Sequence, residues 1–166
     1  PTYNWSQSTY DAFIAVSSRN GTDDVVYVGL IDVAQSIDGG ASWRSIGGPT
    51  WVSTAIVHND HQSVAISPHD PNVVLFGSDG GAYRMTYTPS NNNFSWAFLS
   101  RNLGITQFYK SNHHPTNPDI ALGGTQDNAT PVVSGDLLNW RNKGGGDGGF
   151  AAINTNNPNI QYATSQ

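Results

Sequence analysis

The chain contains no cysteine and no glutamate, only two lysines (Lys110 and Lys143), one methionine, and no apolar run approaching twenty residues. Without cysteine there is no disulfide, no zinc–thiolate centre and no thiol nucleophile, although the compartment stays open. Without a long apolar run there is no membrane-spanning helix, which needs roughly 20 such residues. Missing glutamate and scarce lysine remove two strong helix formers, and no segment keeps an i, i+3, i+4 apolar pattern for three turns. Seven basic residues against twelve acidic ones leave a net charge of −5. With only five scattered arginines there is no basic patch for a phosphate backbone, so nucleic acid is excluded as an expected partner.

What is present points to strands and turns. There are 18 Gly, 17 Asn and 9 Pro, all twelve acids are Asp, and aromatics make up 11%. Asn, Asp and Gly close turns, while the aromatics suit pleated surfaces. A length of 166 residues suffices for a sizeable core. The chain starts at Pro1 rather than Met, which fits removal of a signal peptide or a preceding domain. Sequons at Asn4, Asn20, Asn93 and Asn128 matter only in a eukaryotic secretory host.

A repeat organises the chain. Val64–Asp79, Tyr109–Asp127 and Ala151–Gln166 align around Pro71, Pro118 and Pro158, and Phe13–Gly29 is a looser copy. The period of about 40 to 47 residues is that of a four-stranded propeller blade. In the second repeat, strands are expected at 62–67, 73–78, 81–87 and 94–99, each bounded by Asn, Pro or Gly. The expected fold is therefore all-β: a β-propeller of four-stranded antiparallel blades, with about three and a half present. Blades are placed at about 12–47, 62–99 and 105–143, with an incomplete one at 149–166, all as parts of a single domain. Open sheet edges are disfavoured, so the partners expected first are the remaining blades of the same propeller. An acidic, Asn or Gly residue and at least two further blades are expected after Gln166.

One motif is specific. Ser36-Ile-Asp38-Gly-Gly40-Ala-Ser-Trp43 fits the pattern Ser-x-Asp-x-Gly-x-x-Trp, and Ser134–Trp140 is a remnant one residue shorter between Asp and Trp. Asp38 is expected to accept backbone N–H groups across a hairpin turn, Gly40 to take a positive φ, and Trp43 to lie flat between neighbouring sheets. Ser36, Asp38, Gly40 and Trp43 are thus structural. With this motif inside a repeat of that period, the chain resembles the Asp-box (BNR-repeat) propellers: sialidases, xyloglucanase-type glycoside hydrolases, sortilin-like receptors and many exported bacterial proteins. A narrower resemblance, to exported bacterial glycosyl-hydrolase-like BNR proteins, rests on His58–Gln62, Gly77–Arg84, Leu103–Tyr109, Gly123–Asn128 and Gly144–Phe150. Those relatives often carry His where this chain has Gln62, and the sialidase arginine triad has no match here. The resemblance implies export, to the cell surface, the periplasm or the medium.

Strand direction sorts the polar residues. If first strands run from top to bottom, Asp38, His69, His113 and His114 fall at the bottom. His58, Asp60, His61, Asp79, Arg101, Asp127 and Asp147 fall at the top. Glycoside hydrolysis needs two carboxyl groups, and without Glu the pair must be drawn from Asp60, Asp79, Asp127 and Asp147. His58, His61 and Arg101 are candidate ligand-binding groups, with Trp51 and Tyr109 as sugar-stacking platforms. Asx residues beside Gly or Asn also close turns on their own backbone, which is the structural alternative for each acid. The Gly-rich run 144–149 lacks the Gly-Lys-Ser/Thr ending of a phosphate loop.

These residues support an exported carbohydrate-active propeller that binds glycan and hydrolyses it with top-face Asp residues; whether it is an enzyme stays open. The alternatives are a sortilin-like module for an extracellular protein or peptide, and a structural scaffold. No cofactor and no catalytic metal are expected; a structural calcium ion is compatible with the acidic loops.

Overall fold

The computed structural model describes residues 7–18, 24–48 and 56–166. They form three four-stranded antiparallel meanders and one two-stranded hairpin. The first sheet runs β1 (Phe13–Ser17), β2 (Val25–Gly29), β3 (Val33–Ser36) and β4 (Arg44–Ser45). The second runs β5 (His61–Ile66), β6 (Val73–Ser78), β7 (Gly81–Thr88) and β8 (Asn93–Phe98), with a one-turn 3-10 helix at Pro89–Asn91. The third runs β9 (Phe108–His113), β10 (Ile120–Thr125), β11 (Thr130–Ser134) and β12 (Arg141–Lys143), and β13 (Gly148–Ile153) pairs with β14 (Gln161–Ser165). In every sheet, neighbours in sequence are neighbours in space. This all-β build of antiparallel meanders is consistent with propeller blades. Among the described residues no helix is long and apolar enough to cross a membrane, which says nothing of β-barrels.

The chain divides into two compact units, Pro1–Leu103 and Gly104–Gln166. In the first, alternate residues of β2 and β7 turn inward, as period-2 patterning requires. Val25, Tyr27, Val33 and Ile46 from the first sheet meet Val74, Phe76, Met85 and Tyr87 from the second. Phe76 is the hub: its ring centroid lies 5.8 Å from Phe13, 5.9 Å from Tyr27 and 5.2 Å from Trp96. Polar links also tie the sheets. The Trp96 indole N–H donates to the Ile46 carbonyl at 3.0 Å. Arg44 donates to Gln35 Oε1 at 2.9 and 2.6 Å and to the Asn92 carbonyl at 2.9 Å, its guanidinium 5.6 and 5.3 Å from the Tyr87 and Phe94 ring centroids.

The proline turns repeat one device with three chemistries. Ser67 Oγ accepts the His69 and Asp70 N–H groups; His114 Nδ1 accepts those of Thr116 and Asn117; Asn154 Oδ1 accepts those of Asn156 and Asn157. His114 is therefore a turn cap.

In the second unit Leu122, Ala151 and Ile153 form a small core with Val132. Here the Gly-rich run serves close approach as well as turning. Gly144 and Gly146 have φ of +74° and +69°. A Cβ on Gly148 would stand 2.1 Å from the Ala129 carbonyl oxygen, and one on Gly124 would stand 2.0 Å from that of Gly149. Neither obstacle is a movable side chain. Gly148→Ala is expected to cost more than about 2 kcal/mol, read by urea denaturation, because backbone must separate to admit the methyl. An unchanged midpoint would show that the two strands are not held this close.

Candidate functional site

Each first strand after the first sheet carries an extra residue at its start. His61 pairs with Ser78 and Ser63 with Gly77, so Gln62 is bulged; Phe108 pairs with Thr125 and Lys110 with Gly124, so Tyr109 is bulged. A third irregularity lies between Gly148 and Ala151. A bulge re-aims a side chain, and two of these serve the candidate acids. Gln62 donates its amide N–H to Asp79 Oδ1 at 3.1 Å, and the Tyr109 hydroxyl donates to Asp147 Oδ2 at 3.5 Å.

The residue after each second strand then reaches across to the residue before the first. The N–H of Asp79 donates to the Asp60 carbonyl at 3.2 Å, that of Gln126 to Gln107 at 3.0 Å, and that of Gln166 to Asp147 at 2.9 Å. Asp60 and Asp147 are thus equivalent, whereas Asp79 is equivalent to Gln126. Asp127 lies one residue further along its loop, so it and Asp79 come from corresponding loops but not from corresponding positions.

In the first unit the site comprises Asp60, Asp79 and two residues the repeat does not reveal. The hydroxyl of Tyr10, a side chain 58% exposed, donates to Asp79 Oδ2 at 3.1 Å. Asp11 is 0% exposed; its carboxyl meets that of Asp60 and feels the charge of Asp79. Burial pushes the Asp11 carboxyl above the usual carboxylate range, and the Asp79 charge adds to that; its own backbone N–H and the Asp60 carboxyl oppose it. Asp60 sits at φ +60° and donates its N–H to the Ile31 carbonyl at 3.2 Å.

The two histidines separate. His58 packs against Gly80, where an added Cβ would stand 2.2 Å from its own, and its Nδ1 lies 3.2 Å from the Asn59 carbonyl. His61 belongs to the interior instead of to a ligand-facing surface. It is 1% exposed and lies edge-on to Phe76 with ring centroids 6.4 Å apart. Burial, with His58 acting in the same direction, holds its pKa down to about 4. Arg101 is exposed on the loop after β8. Trp51 lies outside the described residues.

In the second unit Asp127, Asp147 and Tyr109 do converge. Asn128 Nδ2 donates to Asp127 Oδ1 and to Asp147 Oδ1, both at 3.1 Å, and Gln126 Nε2 donates to Asp127 Oδ2 at 3.2 Å. The Asp127 N–H also points at Asp147 Oδ1, 3.3 Å away. Among the described residues, no three His or Asp side chains are grouped so as to hold a metal ion.

The Ser36–Trp43 turn lies at the other end of its sheet. Gly39 donates to the Asp24 carbonyl in the β1–β2 loop at 3.1 Å, whereas Asp60 bonds Ile31 between β2 and β3. Asp38 Oδ1 accepts Ser36 Oγ–H and the Ser42 N–H, each at 2.8 Å, and Oδ2 accepts the Ser42 hydroxyl. Donors from the Ser42 hydroxyl and N–H, then Ser36, draw its pKa down to about 2. Gly39 and Gly40 have φ of +66° and +98°. The Trp43 indole N–H donates to the Gly40 carbonyl at 3.0 Å, and Trp96 links the first two sheets. The shorter remnant repeats that staple, with Trp140 donating to the Leu137 carbonyl at 3.0 Å.

Comparison with solved structures adds a likeness. A crystal structure described as an ancestral GH74 enzyme aligns over 93% of this chain at 17% identity, with a TM-score of 0.39. The chain spans 22% of the length of that protein. No family model matches, and neither does any curated protein sequence.

Proposed function

We propose that the chain is part of an exported, carbohydrate-active β-propeller of the Asp-box type. It binds glycan at the strand ends that carry Asp60 and Asp79, and hydrolyses it through paired aspartates. The observation that carries this reading is the cluster at that end of the first unit. Asp79 is held by one donor on each oxygen, Asp60 and the buried Asp11 lie beside it, and the exposed Tyr10 ring adjoins. Hydrolysis of a glycosidic bond calls for one carboxyl that keeps a proton and one that is ionised, and neighbouring carboxyls in unlike surroundings divide in that way. A flat phenol next to carboxylate and amide acceptors suits a pyranose ring, which offers an apolar face and a rim of hydroxyls.

The Asp127–Asp147 pair is the second candidate. One amide nitrogen of Asn128 bridges the two, so their Oδ1 atoms lie no farther apart than two bonds of 3.1 Å. That suits the retaining separation of roughly 5–5.5 Å better than the inverting one of roughly 6.5–9.5 Å.

An oligosaccharide array paired with a hydrolysis assay on the full chain tests the reading. Asp79→Asn is expected to lower hydrolysis by about 100-fold or more with circular dichroism unchanged, the usual scale for losing a proton-transfer or nucleophilic carboxyl. Asp127→Asn tests the second pair in the same way. If neither substitution changes binding or turnover, the site is elsewhere.

A further inference from the structure

The turn joining the third strand of a sheet to the fourth occurs in three versions. In the first sheet its tip is Gly39-Gly40-Ala41-Ser42, and in the second Pro89-Ser90-Asn91-Asn92. In the third, between β11 and β12, the tip is Leu137-Leu138, followed by Asn139 and Trp140. Leu138 is 95% exposed, Leu137 53% and Trp140 43%. The turn itself has no need of leucine. Asp136 Oδ1 accepts the Leu138 N–H at 3.0 Å, the Asp136 carbonyl accepts that of Asn139 at 2.9 Å, and the Leu137 carbonyl accepts the Trp140 indole N–H at 3.0 Å. Nor does a neighbouring sheet cover this position. The second sheet packs against the first through a full core, yet Gly39, Ala41 and Ser42 at the matching tip stay exposed.

We propose that the β11–β12 turn is a shallow membrane contact, with Leu137 and Leu138 entering the interfacial layer of a lipid bilayer. The inference stands apart from the glycan reading and uses none of its residues. Leu137, Leu138 and Trp140 together offer on the order of 300 Å² of surface, against about 800 Å² per partner in a standard protein interface. A lipid surface asks for no such area and no matching pocket. Leaving water costs the tip little, because the Leu138, Asn139 and indole N–H groups already have partners inside the turn. Trp140 lies at the base of the tip, its ring centroid 6.3 Å from that of Phe108, and tryptophan favours the boundary between lipid and water. Exposed Arg141 and Lys143 on β12 are offset by exposed Asp119 and Asp136, which the Gly135 N–H to Asp119 carbonyl bond brings to the same end. Attachment is therefore apolar and persists in salt. It is also weak and reversible, as even a whole myristoyl chain binds only marginally.

Co-sedimentation of the full chain with phosphatidylcholine vesicles, in low and high salt, tests the proposal. Bound protein is expected to rise with lipid concentration and to be insensitive to salt. Leu138→Asn is expected to lower the partition coefficient about tenfold, the scale for withdrawing one leucine from an apolar medium. Leu137→Asn should act in the same direction, and keeps the test decisive if the first variant misfolds by circular dichroism. Ile105→Asn, at a residue 75% exposed on the loop before β9, should leave partitioning unchanged. No sedimentation of the unsubstituted chain overturns the proposal. An equal loss in the Ile105 variant overturns it too, by showing general stickiness. Binding that requires phosphatidylglycerol and vanishes in high salt assigns attachment to charge and also overturns it. So does a dimer, seen by analytical ultracentrifugation, that Leu138→Asn dissociates, because the tip then meets a second copy.

Discussion

Lowering the pH from 7.5 to 4 is expected to remove about 3 kcal/mol of stability from the first unit through His61 alone. Burial holds the folded-state pKa of this imidazole down to about 4, below its ordinary value of 6.5. The folded protein therefore refuses a proton that the unfolded chain accepts. The stabilisation is complete above pH 6.5, declines as pH falls through the interval between the two values, and levels off below about 4. Asp11 works in the opposite sense. Its folded-state pKa is raised, so its contribution is present at low pH and lost as pH rises through that value. Urea denaturation followed at half-unit steps of pH measures the sum. His61→Leu, which keeps the site apolar, should flatten the curve between pH 6.5 and 4. An equally steep curve in the variant would assign the acid sensitivity to other groups.

Phe76→Ala is expected to cost about 3–5 kcal/mol, the range for emptying a well-packed aromatic site. Phe76 is 1% exposed and touches rings from both sheets of the first unit, so no single neighbour can fill the space. A cost below about 1 kcal/mol would mean that the two sheets do not share this core. Phe76→Leu should recover much of the loss, because most of the buried volume returns.

Much of the strand pattern was legible in the sequence. The second repeat was expected to have strands at 62–67, 73–78, 81–87 and 94–99, and they lie at His61–Ile66, Val73–Ser78, Gly81–Thr88 and Asn93–Phe98. The reason is local: short β-branched and aromatic runs between Pro, Asn and Gly turns leave little choice of structure. The Ser36–Trp43 turn was legible because the partners of its side chains lie within eight residues. The bulges were not. One inserted residue reverses which side chains face inward, and alternation alone does not locate it. That is why His61 reads as a loop group when it is a core residue, and why Gln62 and Tyr109 are aimed at acids far away in sequence. Asp11 escaped for a different reason. It precedes the first repeat, stands in an irregular turn, and becomes notable only through burial beside two loops about 50 and 70 residues further on.

The central claim is that ligand meets the strand ends carrying Asp60 and Asp79, and that the Ser36–Trp43 turn at the opposite end is a staple. Amide chemical-shift mapping of the isotope-labelled chain during titration with a soluble oligosaccharide that the array retains tests it most directly. The account predicts that the largest shifts fall on Tyr10, Asp60, Gln62, Asp79 and Gly80, while Asp38 to Trp43 stay unmoved. Shifts concentrated on the Asp38 turn, with none at Asp79, would contradict it.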